Sequence, residues 1–255
     1  MRNIWTVYKR ELRQYFVSPI AYLVMFAVLL LIGLNFNTDL QDRANFEPAD
    51  GTVVLSTFAF LMVFFAPLLT MRLFAEETRE GTLELMLTMP IRDHELVIGK
   101  FLGAWAFYSI MLAVTLVYQG ILLALTNFDA NPAPLQSELD LGPIIGGYIG
   151  IWLFSGATIA IGMFFSAMTE NQIIAGFLSM AVLFILWVGD LAGLLPASIV
   201  STRVAEALRV ISLQSHYSTS FLEGVIRPED VYFYAGVMFI MLFVTTRLIE
   251  SRRWR

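Results

Sequence analysis

Six runs of mostly apolar residues, each near the length that crosses a bilayer, constrain this 255-residue chain more than any other feature. A helix needs ~20 such residues to span the hydrocarbon core. The runs are read at Pro19–Phe36, Val53–Met71, Phe101–Thr126, Ile144–Met168, Ile173–Leu195 and Val231–Thr246. The first and last are short and call for extension by their polar flanks. The third and fourth are long enough to tilt or protrude. All are continuously apolar, so they lack the alternation of transmembrane strands. Only 15% of residues are charged, against ~25% in a soluble domain. That balance excludes a disordered chain and disfavours a soluble enzyme. A net charge of −5 argues against a nucleic-acid partner. Cysteine is absent, which removes disulfides and thiolate metal sites. The expected fold class is an all-α integral membrane protein with six transmembrane helices in a single domain, 1–255.

Basic residues set the orientation, because cytoplasmic loops retain them. Twelve fall on one side: Arg2, Lys9, Arg10 and Arg13; Arg72, Arg79, Arg92 and Lys100; and Arg247, Arg252, Arg253 and Arg255. Arg43, Arg203, Arg209 and Arg227 fall on the other, where the loop from Asn127 to Gly142 carries Asp129, Glu138 and Asp140. Six spans with both termini cytoplasmic fit this sorting. A basic start before an apolar run also describes a signal peptide, but no small-x-small pattern follows Leu34, so an uncleaved first span is read.

Three segments are neither span nor simple loop. Residues 1–18 form an amphipathic helix with Ile4, Trp5, Tyr8, Leu12, Tyr15 and Phe16 on one sector and Arg2, Lys9, Arg10 and Arg13 opposite. That pattern suits a helix lying in the bilayer interface. Residues 196–230 are too polar to span. Val200, Val204, Ala207, Leu208 and Ile211 share a face there, as on a short helix resting on or dipping into the outer leaflet. Pro228 then opens the last span with Glu229 and Asp230 at its N-terminus.

The third segment, residues 72–96, is cytoplasmic and reads RLFAEETREGTLELMLTMPIRDHEL. Glu76 and Glu80 lie one turn apart with Glu77 beside them, and Arg72 can pair with Glu76. Gly81 breaks the helix. Thr82 can cap a second helix, Leu83–Met89, with Glu84 in its first turn and Pro90 at its end. Asp93 can cap the next. A solvated charged hairpin is the plain alternative. Against it, Leu83, Leu85, Met86 and Leu87 are more apolar than a loop needs, and the flanking acids oppose the local basic bias. An apolar helix rimmed by glutamates suits docking to a soluble partner with basic residues.

These stretches give the chain a likeness. YKRELRQYFVSPIAYL (8–23), APLLTMRLFAEETREGTLELMLTMPIRDHELVIGKFLGA (66–104), SHYSTSFLEGVIRPEDVYFY (215–234) and the RLIESRRWR tail resemble the permease subunits of ABC-2 type transporters, in particular the gliding-motility permease branch. The resemblance implies half of a transport pathway in the plasma (inner) membrane. A second permease copy or a related chain would supply the other half, and a dimer of ABC ATPase subunits would bind beneath. It implies that Glu76, Glu77, Arg79, Glu80, Gly81, Thr82, Leu83, Glu84, Leu85 and Met86 couple to the ATPase. Residues 1–18 would be the interfacial elbow, and 196–230 the external re-entrant or surface helices. ATP and magnesium would reside on the partner, with no cofactor on this chain and export as the direction. An auxiliary membrane protein is a further possible partner.

The chemistry of other classes is missing. Gly99-Lys100 lacks the remainder of a P-loop. His94 and His216 lie on opposite sides and read as solvated or capping. No nucleophile elbow occurs. No ionisable residue sits at a span centre, as a proton- or ion-driven carrier would place it. Tyr118 and Gln119 are the most polar pair deep in a span, either lining a pathway or bonding between helices. Gly146/Gly150, Gly156/Ala160 and Gly162/Ser166 allow close packing, within the chain or with another copy. A non-transporting membrane scaffold and a secondary transporter are the alternative functions.

Overall fold

The computed structural model describes residues 2–43, 50–88, 91–128, 140–194 and 201–253. Twelve α-helices run through them: α1 (Arg2–Val17), α2 (Pro19–Arg43), α3 (Thr52–Thr70), α4 (Arg72–Arg79), α5 (Thr82–Thr88), α6 (Asp93–Val114), α7 (Leu116–Phe128), α8 (Leu141–Met168), α9 (Gln172–Val188), α10 (Thr202–Ile211), α11 (Leu213–Ser218) and α12 (Pro228–Arg253). The described residues contain no strand. Six segments are long and apolar enough to cross a membrane: α2, α3 with α4, α6 with α7, α8, α9 and α12. The protein is therefore an all-α, multi-pass membrane protein. Leu195, Pro196, Val200, Met89, Pro90, Asp129, Glu138, Arg255 and the connections around them lie outside the described residues.

The polar flanks do lengthen the first and last spans, to 25 and 26 residues. The third span is not one straight rod. At Thr115 the hydroxyl donates to the Leu112 carbonyl at 2.6 Å, and the Thr115 N–H turns to the same carbonyl. That back-bonding replaces the regular i→i−4 bond and separates α6 from α7. Tyr148 on α8 sits 3.0 Å from the Thr115 hydroxyl.

α8 is the axis of the bundle: 72% of its most apolar window is buried, against 17% for α12. Its small residues explain the difference. A side chain at Gly150 would meet Phe221 at 2.5 Å, one at Gly147 would meet Leu55 at 2.6 Å, and one at Gly162 would collide with Thr70. The small pairs of the sequence therefore serve packing inside this chain, α8 admitting α3, α12 and the segment after α11 to near backbone contact.

That last segment falls where short helices resting on or dipping into the outer leaflet are expected. α10 keeps Val204 and Ile211 exposed, as a leaflet-resting helix would. α11 and the 3-10 turn after it, Phe221–Glu223, instead insert into the end of the bundle. Tyr217, Phe221 and Tyr234 are fully buried there, the Tyr234 hydroxyl donating to the Leu213 carbonyl at 2.7 Å. Gly224 closes the insertion with φ of +77°, a left-handed conformation suited to glycine. His216, expected to be solvated or capping, is half-buried: its Nδ1 lies 2.6 Å from Asp230 and its ring stacks on Phe233. It ties α11 to the first turn of α12.

The glycine contacts give a direct test. Gly162→Val should force Thr70 and α3 away from α8 and cost about 1–3 kcal/mol, the usual penalty of overpacking. Gly120→Ala, inside α7 at a position with nothing within 4 Å, should cost nothing and gain about 0.5–1 kcal/mol. Thermal unfolding of both purified variants in one detergent compares them.

Candidate coupling site

α3 passes into α4 through Met71, whose N–H still reaches the Pro67 carbonyl at 2.9 Å. The join is held from α8. The Ser166 hydroxyl donates to the Met71 carbonyl at 2.8 Å and accepts from the N–H groups of Phe74 and Ala75 at 3.0 and 3.1 Å. α4 thus leaves the membrane-crossing helix at a pinned bend. At its far end Gly81 adopts φ of +70°, and the chain turns into α5. The Thr82 hydroxyl donates back to the Glu77 carbonyl at 3.3 Å, closing α4 rather than capping α5.

The acids of α4 separate by face. Glu76 takes the expected pair with Arg72, at 3.0 and 3.2 Å. Glu77, one step round the helix, points inward and is 8% exposed. Its Oε1 accepts from the Lys100 ammonium at 2.9 Å and, more distantly, from Arg10 at 3.5 Å. Lys100, from α6, also donates to Glu11 of α1 at 3.1 Å. Its Nζ sits 5.3 Å from the centre of the Phe74 ring. One ammonium, 2% exposed, thereby joins three helices. Buried ions are stable only when paired and hydrogen-bonded, which fixes α1, α4 and α6 against one another.

α1 can approach α6 so closely because Gly99 and Gly103 stand one turn apart. Side chains there would meet Val7 and Glu11, each at 2.7 Å. The docked face of α1 therefore runs through Val7, Glu11 and Tyr15, while Trp5 and Phe16 of the aromatic sector remain exposed. Asn3 adds a bond to Glu95 at 2.9 Å. Glu95 also accepts the Arg92 N–H at 3.2 Å, at the start of α6. From the other side Arg252 of α12 donates to the Thr78 hydroxyl and to the Ala167 carbonyl at the end of α8.

The expected docking residues divide accordingly. Glu77, Leu83 and Met86 are buried within the chain and cannot offer their side chains to a partner in this conformation. Glu76 and Thr82 are half-buried and engaged internally. Arg79, Glu80, Gly81, Glu84 and Leu85 form the exposed ridge, with Leu85 64% exposed. The apolar pattern of α5 thus seats it on the protein, with Leu85 left facing outward. Tyr118 and Gln119 lie away from this site and bond between helices, to the Leu29 carbonyl at 2.9 Å and the Gly51 carbonyl at 2.7 Å. Glu11 was not singled out from the sequence; Lys100 and Arg252 were read only as orienting basic residues, and Ser166 only as half of a small pair. The Gly99-x-x-x-Gly103 spacing beside a lone acid on α1 was the available signal.

Six helices long and apolar enough to cross a membrane, with a charge-locked helical extension at one end, define a polytopic membrane protein. The chain belongs to the family described as ABC-2 family transporter protein, whose model matches residues 5–246. The family is a membrane translocation component, not itself catalytic, and usually works with an ABC ATPase. No curated protein matches the chain.

Lys100→Met should strand two buried carboxylates and cost about 3–5 kcal/mol. The triple variant Lys100→Met/Glu11→Gln/Glu77→Gln should be less destabilised than Lys100→Met alone, although it carries two more substitutions. Equal or greater destabilisation of the triple variant, read by thermal unfolding, would show that the charges do not act as one cluster.

Proposed function

We propose that this chain is the permease half of an ATP-driven exporter, of the gliding-motility permease branch. Two halves form the pathway: this chain with a second copy or a related chain. The termini and α4–α5 face the cytoplasm, beneath the plasma (inner) membrane, and a pair of ABC ATPase subunits binds there. ATP and its magnesium belong to those subunits. α1 acts as the interfacial elbow, residues 72–96 as the coupling region and residues 196–230 as the outer segment. An auxiliary membrane protein completes the assembly in this branch.

The observation that carries the reading is the exposed ridge Glu80, Glu84 and Leu85, joined through Gly81 to a helix locked into the bundle. Its acids offer partners for basic groups, and Leu85 offers exposed apolar area to be buried against a partner. Closure of the ATPase dimer would push the ridge. Glu77 and Lys100 would pass that displacement to α1 and α6, a rigid-body response biased by a distant ligand.

The test is co-purification with the neighbouring ATPase. Glu80→Lys/Glu84→Lys/Leu85→Asp should lower complex recovery and ATPase stimulation by tenfold or more, about 1.4 kcal/mol or above, while the chain alone keeps its thermal stability. Unchanged assembly and stimulation would remove the docking claim. ATP-dependent movement of substrate across proteoliposomes separates this reading from a scaffold without transport.

A further inference from the structure

The last span, α12, is fastened at its outer end, where Asp230 meets His216 and the Tyr234 hydroxyl reaches the Leu213 carbonyl, both on α11. It has 26 residues and is therefore roughly 39 Å long. Its inner half has two faces. Thr245 and Ile249 are fully buried, and Arg252 continues that face one turn further on. Phe239, Ile240 and Phe243 remain exposed on the other side.

Arg252 ends the buried face with a two-pronged donor. Its Nη2 donates to the Ala167 carbonyl at 2.9 Å and its Nη1 to the Thr78 hydroxyl at 3.2 Å. Ala167 is the last residue but one of α8. Its carbonyl is among the four that a helix end leaves without an intrahelical partner, where the helix dipole also favours a cation. Thr78 lies in the last turn of α4. Its one hydroxyl proton goes to the Phe74 carbonyl at 2.9 Å, so toward Arg252 the oxygen accepts. Among the described residues no carboxylate pairs with Arg252, and no other hydrogen bond or ion pair joins α4 to α12. Both helices pack on α8. The bond to Ala167 closes the end of α8. The bond to Thr78 does something else: it links the last span to the extension that leaves the membrane.

We infer that Arg252 is a positioning residue: through Thr78 it makes the inner end of α12 follow α4. The inference rests on the reading that a docked ATPase displaces α4, and it adds a second branch to the route through Lys100. Lys100 takes the displacement to α1 and α6; Arg252 takes it to the last span. Because the outer end of α12 is fastened to α11, the span tilts about that end. A shift of about 2 Å at the inner end tilts a rod of this length by roughly 3°. The plain alternative is that Arg252 does no more than cap α8. The two roles separate at Thr78, since Thr78→Val removes the acceptor on α4 and leaves the bond to Ala167 in place.

The experiment is hydrogen-exchange mass spectrometry of the full chain in lipid nanodiscs, first alone and then with the neighbouring ATPase. In the chain alone, Thr78→Val should speed exchange over residues 245–252 roughly tenfold, the effect of losing one hydrogen bond to a charged group. The last turn of α8, residues 163–168, should exchange as in the native chain. Arg252→Ala should speed both segments, and adding Thr78→Val to it should change α12 no further. Thr78→Ser, which keeps the oxygen, should behave as the native chain. With the ATPase present, ATP trapped by orthovanadate should alter exchange in both α4 and α12. In Thr78→Val it should alter α4 alone, with ATPase recovery unchanged. Native exchange over 245–252 in Thr78→Val, or an α12 response to trapped nucleotide that survives that substitution, would overturn the inference. An ATPase that fails to bind the native chain, or that leaves α4 unchanged, would overturn the docking reading instead, and exchange in the chain alone would still decide whether Arg252 ties α12 to α4.

Discussion

The ammonium of Lys100 is the point on which the arrangement at one end of this bundle depends. It is almost wholly removed from solvent and is shared between a carboxylate of α1 and a carboxylate of α4. Taking such a group out of water costs several kcal/mol, recovered only while both acids stay in place. A displacement of α4 must therefore carry α1 and α6 with it or separate buried opposite charges. The three helices belong to distant parts of the sequence, the pairings linking positions 89 and 23 residues apart. Electrostatics turns them into one mechanical piece.

Packing around α8 supplies the complementary constraint. Its glycines allow neighbours to reach the backbone, which in lipid is worth more than bulk, since tails already solvate large apolar side chains. α2, α9 and α12 are much less enclosed and carry large exposed residues such as Phe26, Phe177 and Phe239. The bundle thus has a tight spine and a looser lipid-facing periphery. At the opposite end α11 and Phe221 fill the space between α8 and α12, with His216 and Asp230 fastening the filler.

Most of the fold was legible in the sequence because bilayer thickness imposes a strong length signal on apolar runs. Punctuation around Gly81 was legible for the same local reason: glycine permits the left-handed turn that ends α4. The site was less so. Lys100 read as one more basic residue of topological meaning, because burial of an ion depends on partners the linear order does not bring together. Glu11 was passed over because an acid interrupts the apolar stripe of α1 and hides its docked face. Leu83 and Met86 looked like docking area, since an apolar pattern on a short helix does not say whether it covers its own protein or another. The kink at Thr115 rests on a hydroxyl competing with the backbone, a choice made in three dimensions with Tyr148 beside it.

Ser166 gives the bend between α3 and α4 an unusual property. A break in a helix ordinarily leaves backbone groups without partners in a setting where no water can serve them. Here a single rotatable hydroxyl on the most enclosed helix meets one carbonyl and two N–H groups of the bend. A hydroxyl can both donate and accept, and it turns about its bond to follow small changes in direction. One side chain of the most enclosed helix thus meets the polar groups exposed where its neighbour breaks.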